Sequence, residues 1–130
     1  MSAPVGIVLV SHSGRLVEGL ADLLGQLAPA SVPLATAGGT EEGGLGTSYD
    51  LVAAAVRAAD RGAGVAVIPD LGSAVLTART VLEDLDRPDV VLVDAPFVEG
   101  AVAAAVAAAA GVDLAAVVAA AREARRIDKF

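Results

Sequence analysis

The single histidine of the chain is the side chain best suited to chemistry. His12 lies between Ser11 and Ser13, where an apolar run ends and a helical pattern begins. A neutral imidazole nitrogen is nucleophilic near neutral pH, because its unperturbed pKa is about 6.5. The free N–H groups and the dipole of a helix N-terminus disfavour imidazolium and favour an added anion. The stretch predicts a histidine that accepts a phosphoryl group, with Ser13, Gly14 and Arg15 as further hydrogen-bond donors.

A carboxylate at the right place would fix the tautomer of this ring. Asp70 follows the third apolar run, and by holding one ring nitrogen as N–H it would leave the other as a lone-pair nucleophile. Taken alone, each residue also has a structural interpretation: Asp70 as the cap of the next helix, and His12 as a space-filling residue at the junction. Asp94, after the fourth run, is interpreted as structural rather than catalytic.

Four short apolar runs and the helical patterns between them must position these residues. The runs cover residues 5–10, 32–36, 64–69 and 89–93, and two alanine-rich segments follow at about 98–110 and 113–125. The alternation predicts an α/β fold, an open and mainly parallel sheet with helices on both faces. Pro33 lies inside the second run and has no N–H for a ladder, which places that strand at an edge.

Ligands of parallel sheets bind beyond the carboxyl ends of the strands. The segments that follow the four strands should therefore share one rim, where His12, Asp70 and Asp94 could converge. Other chemistries lack their motifs. No G-x-S-x-G elbow supports a Ser-His-Asp hydrolase, no P-loop lysine follows the glycines, and the first strand precedes neither a G-x-G-x-x-G fingerprint nor an acidic receiver cluster.

Composition excludes several classes of site and partner. The 130 residues include no cysteine and one histidine, which excludes disulfides, thiolate ligands and a multi-histidine metal site within one chain, so no metal or cofactor is expected. A net charge of −7 with 2% aromatic residues argues against nucleic acid. No signal peptide is evident, and Gly111 and Asp113 interrupt the alanine-rich region, which argues against a membrane span. We expect a cytoplasmic protein.

Three stretches carry a resemblance to a known family. They are "GIVLVSHSGRLVEGLADLL", "ATAGGTEEGGLGTSYDLVAAAV" and "VAVIPDLGSAVLTAR". Together they resemble the phosphotransferase subunit of bacterial phosphoenolpyruvate-dependent dihydroxyacetone kinase, whose first domain is similar to mannose-type enzyme IIA. The match covers nearly the whole chain in order, and it implies one IIA-like domain over residues 1–130.

The resemblance implies a strand order of 2-1-3-4, a homodimer and a function. His12 would carry a phosphoryl group, and Asp70 matches the aspartate that orients the histidine. The donor would be the histidine phosphocarrier of the phosphotransferase system (PTS). The acceptor would be ADP on the nucleotide-binding subunit of the kinase, and the regenerated ATP would phosphorylate dihydroxyacetone in the substrate-binding subunit, a step of glycerol metabolism.

Phosphate or partner binding is assigned to the segments on the rim. These residues are Ser13, Gly14, Arg15, Gly38, Gly39, Thr40, Gly72 and Ser73. The Gly-rich loop 38–46 would be a docking rim on which Glu41 and Glu42 select a basic partner surface. A flexible turn with solvated charges is the alternative interpretation of this loop.

The chain departs from the family pattern in two ways. Some members carry fused carrier and enzyme I-like domains, whereas this sequence ends after the IIA-like part, so we expect separate phosphocarriers as donors. Thr77 stands where many relatives have asparagine, which puts a polar role of that position in doubt. Two further functions remain open: a IIA component of a mannose-type sugar permease, and a non-catalytic regulator that senses phosphorylation state.

Overall fold

The computed structural model describes residues 3–130, which form a four-stranded sheet between two layers of helices. The strands are β1 (Gly6–Ser11), β2 (Leu34–Gly38), β3 (Val65–Pro69) and β4 (Val90–Leu92). The helices are α1 (Gly14–Leu27), α2 (Tyr49–Ala59), α3 (Ser73–Leu85), α4 (Phe97–Ala109) and α5 (Leu114–Glu123), and a 3₁₀ turn, Ala124–Arg126, follows α5.

The strands pair in the order β2-β1-β3-β4, and every pair is parallel. This confirms the α/β class and the strand order. β1 and β3 lie at the centre and are buried along their whole length, whereas the edge strands β2 and β4 are partly exposed. Valine and isoleucine dominate the central strands because both of their faces are covered by helices.

The predicted bounds of the second strand were wrong, although its edge position was right. Pro33 lies one residue before β2, and its carbonyl accepts the N–H of Ile7 at 2.8 Å. A proline keeps its carbonyl acceptor although it lacks a donor, so it contacts the neighbouring strand without belonging to the ladder. The strand then runs two residues further than predicted, to Gly38.

Alternate residues of β1 enter two separate apolar cores. Ile7 and Leu9 pack with α1, α4 and α5, whereas Val8 and Val10 pack with α2 and α3. Each fully buried side chain of this kind contributes about 1.5–3 kcal/mol relative to an exposed one. The strand is thus held from both faces, and its carboxyl end, where His12 follows, has a fixed position.

The alanine-rich region forms two helices, as predicted. Asp113 is the N-cap of α5, and its side chain accepts the N–H of Ala116 at 3.0 Å. Buried alanines let α4 pack closely against the sheet and against α5. None of the helices in residues 3–130 is both long and apolar enough to cross a membrane.

Candidate functional site

The pairing of β1 with β3 brings His12 and Asp70 together. Val10 lies opposite Pro69 in the register, and the N–H of Asp70 donates to the carbonyl of Val10 at 2.8 Å. The two residues that follow these strands therefore meet at the carboxyl edge of the sheet. Nδ1 of His12 lies 3.0 Å from Oδ1 of Asp70.

The Asp70 carboxylate accepts hydrogen bonds at both oxygens. Oδ2 accepts the Ser11 hydroxyl at 2.8 Å and the backbone N–H of His12 at 3.1 Å, and Oδ1 also accepts the N–H of Leu71 at 2.6 Å. The side chain is only 8% exposed. Burial by itself would raise the pKa of Asp70, but the hydrogen bonds from Ser11, Leu71 and His12 outweigh it and hold the pKa below its ordinary value. The carboxylate is therefore ionised at neutral pH.

An ionised carboxylate can only accept, and this fixes the tautomer of a neutral His12 ring. Nδ1 carries the proton and donates it to Asp70, so the lone pair is on Nε2. The Ser73 hydroxyl oxygen lies 2.6 Å from Nε2, so this hydroxyl donates to the lone pair. With 27% of the His12 side chain exposed, the ring is held at two atoms and still reachable from solvent.

Nε2 faces the start of α3. Gly72 is the N-cap residue, with φ of 47° and ψ of −114°, a backbone conformation that favours glycine. A Cβ at this position would lie 4.0 Å from Nε2 of His12. No side chain among residues 3–130 caps α3, and the N–H groups of Gly72 and Ser73 have no acceptor within that part of the chain. Two backbone donors are thus available beside the nucleophilic nitrogen.

This corrects the assignment of the helix dipole. The sequence predicts the phosphoryl group of His12 at the N-terminus of α1, the helix that follows His12 in the chain. Because Asp70 holds Nδ1 from the end of β3, Nε2 instead contacts Ser73 in the first turn of α3. The contact between strands, which sequence order does not show, decides which helix the reactive nitrogen meets.

Ser13 uses its backbone N–H and its hydroxyl oxygen in hydrogen bonds within the chain. Its hydroxyl oxygen accepts the N–H of Leu16 at 3.2 Å and caps α1, and its own N–H donates to the Ser11 hydroxyl oxygen at 3.0 Å. Arg15, in the first turn of α1, is exposed. Of the donors predicted here, the Ser13 backbone N–H is already used.

The glycines at the end of β2 allow close packing against α1. A Cβ on Gly38 would lie 2.4 Å from Cγ1 of Val17 and 2.8 Å from Cα of Gly14. No side chain fits there, so Gly14 and Gly38 let two backbones touch. Gly39 donates its N–H to the carbonyl of Ser11 at 3.1 Å and extends the pairing of β2 with β1.

The Gly-rich loop folds back onto the end of β1. The Thr40 hydroxyl oxygen accepts the N–H of Gly44 at 3.0 Å, and the Thr40 N–H donates to the Gly44 carbonyl at 3.0 Å. Gly46 donates its N–H to the carbonyl of His12 at 3.0 Å. These hydrogen bonds give the loop a defined shape and place it beside the histidine.

The two glutamates of this loop differ. The hydroxyl of Ser48, the N-cap residue of α2, donates to Oε1 of Glu41 at 3.0 Å. Glu42 is exposed. Glu41 is exposed as well, so the two differ in that the Glu41 carboxylate takes part in the capping arrangement of α2.

Asp94 is on the same rim but is not part of the hydrogen-bonded pair of His12 and Asp70. Its side chain is 93% exposed and lies 3.6 Å from the Arg125 guanidinium, which also donates to the Asp94 backbone carbonyl. β4 is separated from β1 by β3, so a residue beyond β4 lies one strand too far away. Asp94 therefore has no hydrogen bond to His12 or Asp70, and the structural interpretation of Asp94 fits its contacts with Arg125.

Sequence reasoning missed one polar contribution to this region and left a second in doubt. Ser11 is the only fully buried polar residue in the described chain, and it joins Asp70 to the backbone of Ser13. A hydroxyl at the end of an otherwise apolar strand was the available signal. Thr77, whose polar role the sequence left in doubt, has its hydroxyl oxygen 2.8 Å from that of Thr47.

Comparison with known proteins identifies the family. A family model described as the PTS system fructose IIA component matches residues 6–118 of the chain. The match runs from the start of β1 into the first half of α5 and includes both His12 and Asp70. The chain belongs to this family.

Curated relatives and a solved structure support the same conclusion. The phosphoryl donor subunits DhaM of PEP-dependent dihydroxyacetone kinases 1 and 2 of Listeria innocua are 40% and 38% identical, over 81% and 78% of this chain and 82% and 84% of theirs. The corresponding Escherichia coli K12 subunit is 39% identical over 85% of this chain and 25% of its own length. A crystal structure of a protein of unknown function, EF1359, is 33% identical, with a TM-score of 0.84 over 95% of both chains. The resemblance found in the motifs is confirmed.

Proposed function

We propose that the chain is a phosphohistidine relay in which His12 accepts a phosphoryl group at Nε2. The observation that carries this proposal is the two-sided hold on the imidazole: Asp70 at Nδ1 and Ser73 at Nε2. The first contact directs the lone pair to Nε2, and the second places a hydroxyl and the start of a helix where the phosphoryl oxygens would lie.

Transfer requires one bond to form and one to break at phosphorus. The Nε2 lone pair attacks the phosphoryl group of the donor phosphohistidine in line, and the electrons of the broken N–P bond return to the donor ring. The proton on Nδ1 stays in its hydrogen bond to Asp70, whose negative charge stabilises the more cationic phosphorylated ring. The Ser73 hydroxyl must first leave Nε2, and it can then donate to a phosphoryl oxygen.

Transfer from His12 to the acceptor follows the same in-line path in the opposite direction. A terminal oxygen of ADP attacks the same phosphorus, and the N–P electrons return to Nε2 as ATP forms. Because the chain carries no nucleotide-binding motif, we assign ADP to the nucleotide-binding subunit of a dihydroxyacetone kinase. The relatives named as phosphoryl donor subunits of such kinases support this assignment. The regenerated ATP would then phosphorylate dihydroxyacetone in the substrate-binding subunit.

Both partners must reach the same nitrogen, and the surroundings of His12 suit protein contact. Leu16, Leu45 and Leu71 are exposed apolar side chains in the segments that border the site. Such residues contribute to protein interfaces when they are buried by a partner. A homodimer, which the resemblance implies, belongs to the same proposal and can be tested by sedimentation of the wild-type chain.

Reconstitution tests the relay. Phosphoenolpyruvate, enzyme I, the histidine phosphocarrier, this protein and the two kinase subunits are combined, and dihydroxyacetone phosphate is measured. We expect product only in the complete mixture. Isolated phosphoprotein should transfer to ADP only when the nucleotide-binding subunit is present, and rapid ATP formation from free ADP would contradict the proposal.

A second candidate function is the IIA component of a sugar permease of the PTS. The description of the matching family model, a fructose IIA component, favours it. The same phosphoprotein is therefore offered a IIB protein of a mannose-type permease in place of the kinase subunits. Faster transfer to IIB would favour the permease. Stable phosphorylation with discharge to neither acceptor would indicate a regulator.

A further inference from the structure

Two consecutive residues of the Gly-rich loop contact both halves of the site. Gly46 donates its N–H to the carbonyl of His12 at 3.0 Å. The hydroxyl oxygen of Thr47 lies 2.8 Å from that of Thr77, in the second turn of α3, and 3.5 Å from the carbonyl of Ser73. The loop thus connects the residue that follows β1 with the beginning of α3.

These contacts close a ring that includes the reactive nitrogen. Ser73 touches Nε2 of His12 through its hydroxyl and touches Thr47 through its carbonyl. Thr77 lies four residues after Ser73, hence on the same face of the helix. Both contacts of Thr47 therefore act on the face of α3 that carries Ser73.

The protons can be assigned within this ring. Each threonine hydroxyl has one proton, and Thr47 is close to two acceptors, the Thr77 hydroxyl and the Ser73 carbonyl. Both contacts are satisfied when Thr77 donates to Thr47 and Thr47 donates to Ser73. The 3.5 Å bond to Ser73 is long and weak, so the Thr47–Thr77 bond provides most of the restraint.

We propose that Thr47 and Thr77 are positioning residues that set the distance between Ser73 and Nε2 of His12. The inference rests on the proposed function of His12 as phosphoryl acceptor. No side chain in the described residues caps α3 at Gly72, so the hydrogen bond between the loop residue Thr47 and the helix residue Thr77 restrains the beginning of the helix. They touch neither the ring nor the phosphoryl group, and they act through Ser73.

The test compares substitutions that keep or remove the hydroxyl. Thr47→Val and Thr77→Val keep the branched shape and remove the hydroxyl, whereas Thr47→Ser keeps it. Thr80→Val is the matched control, because Thr80 is an exposed threonine of the same helix whose hydroxyl donates to the Leu76 carbonyl at 3.0 Å. Each variant is checked for folding by circular dichroism.

Two measurements are made on each variant: the single-turnover rate of phosphoryl transfer from the carrier, and the ¹⁵N resonance of His12 Nε2 without phosphate. Loss of one neutral hydrogen bond corresponds to about threefold to tenfold in rate. We expect phosphoryl transfer to Thr47→Val to be slower by this factor. We also expect its Nε2 resonance to shift towards that of a nitrogen without a hydrogen bond. Thr47→Ser and Thr80→Val should stay within about twofold of wild type. The double variant of Thr47 and Thr77 should be no slower than Thr47→Val.

The two measurements separate this inference from the proposed function. Wild-type protein that takes no phosphate contradicts the relay, and the resonance then decides the positioning role alone. A folded Thr47→Val protein with a wild-type Nε2 resonance overturns the inference, whatever its rate, because a slower rate would then reflect partner contact. If Thr47→Val does not fold, the same two measurements are made on Thr77→Val, which removes the hydroxyl of the helix residue that contacts Thr47.

Discussion

Two helices begin beside His12, and their N-termini are built differently. α1 is capped from within, since the Ser13 hydroxyl accepts the Leu16 N–H. α3 begins at Ser73, after the N-cap residue Gly72, and no side chain in the described residues caps it. Its first residue, Ser73, instead directs its hydroxyl to Nε2 of His12.

The difference indicates that the two helix N-termini have different roles. A capped terminus has part of its donor capacity used, so the beginning of α1 serves to hold the chain that carries His12. At α3 the N–H groups of Ala74 and Val75 donate to the carbonyls of Leu71 and Gly72, whereas those of Gly72 and Ser73 have no acceptor in the described residues. These two donors and the positive dipole end remain available to an anion. We therefore infer that α1 positions the histidine and that α3 receives the phosphoryl group.

The largest expected effect comes from removing the ring that both termini flank. His12→Ala should take no phosphate from the carrier, because the chain has no other imidazole. The label on wild-type protein should be acid-labile and base-stable, as phosphoramidates are. Radiolabelled phosphoenolpyruvate with enzyme I and carrier measures both. Phosphate on a folded His12→Ala protein would show that a residue other than His12 accepts the phosphoryl group.

The second-largest effect is expected from removing the charge of Asp70, which holds Nδ1 and so directs Nε2 towards α3. Asp70→Asn keeps the size, removes the charge and offers an N–H that favours the wrong ring tautomer. A lost hydrogen bond to a charged group is worth about 1.5–3 kcal/mol, which corresponds to roughly tenfold to a hundredfold in rate. Single-turnover transfer should slow by that factor in both directions.

Asp94→Asn is the matched control for this substitution, because Asp94 is exposed and follows the neighbouring strand. Its transfer rate should stay near that of wild type. A folded Asp70→Asn protein with an unchanged rate would reduce Asp70 to a residue that links β1 to β3. Circular dichroism checks the folding of both variants.

A pair of serine substitutions tests the two termini against each other. Ser73→Ala loses a neutral hydrogen bond in the resting state and a stronger, charged one in the phosphorylated state. The difference is about 1 kcal/mol, so transfer should slow by about fivefold to tenfold with little change in stability. Ser13→Ala should instead lower the free energy of unfolding by about 1 kcal/mol and leave the rate near wild type. Urea unfolding and single-turnover kinetics are measured on both variants. A Ser13→Ala protein that transfers slowly and a Ser73→Ala protein that is only less stable would assign the two roles to the opposite helices.

The sequence was sufficient for the parts of the site that depend on local pattern. Apolar runs of valine and isoleucine indicated the central strands, and a histidine and an aspartate directly after two of them indicated the edge where they meet. Asp113 and Ser48 cap their helices by accepting N–H groups three residues further along, and such local contacts are the kind that a sequence pattern indicates. Strand order and family came from the motifs, not from periodicity.

What the sequence did not show depends on contacts between distant segments. Ser73 is 61 residues from His12, and only the fold reveals that Nε2 faces α3. The Thr47–Thr77 pair spans 30 residues and joins a loop to a helix. Asp94 follows a strand just as Asp70 does, yet the interposed β3 keeps it away from the ring. Residue type and position after a strand cannot distinguish such cases.

The smallest expected effect is the pH dependence that Asp70 gives to stability. Its hydrogen bonds hold the pKa of the folded carboxyl below the ordinary value of 3.8, so the ionised form stabilises the fold. This contribution is fully present above the ordinary value and is lost as pH falls through the lowered one. Wild type should therefore exceed Asp70→Asn in free energy of unfolding by its full margin above the ordinary value, and the gap should narrow as the pH falls to about 3 and below. The pKa values of Asp60 and Asp89 are also lowered, chiefly by hydrogen bonds from the Gly62 backbone to Asp60 and from Arg87 to Asp89. Both carboxylates are common to the two proteins, so their contributions cancel in the difference.

Urea unfolding of wild type and Asp70→Asn across this pH range gives the difference in free energy of unfolding directly. A gap that stays constant with pH would mean that Asp70 serves the fold equally well without its charge, and that the charge acts only on the ring it holds towards α3.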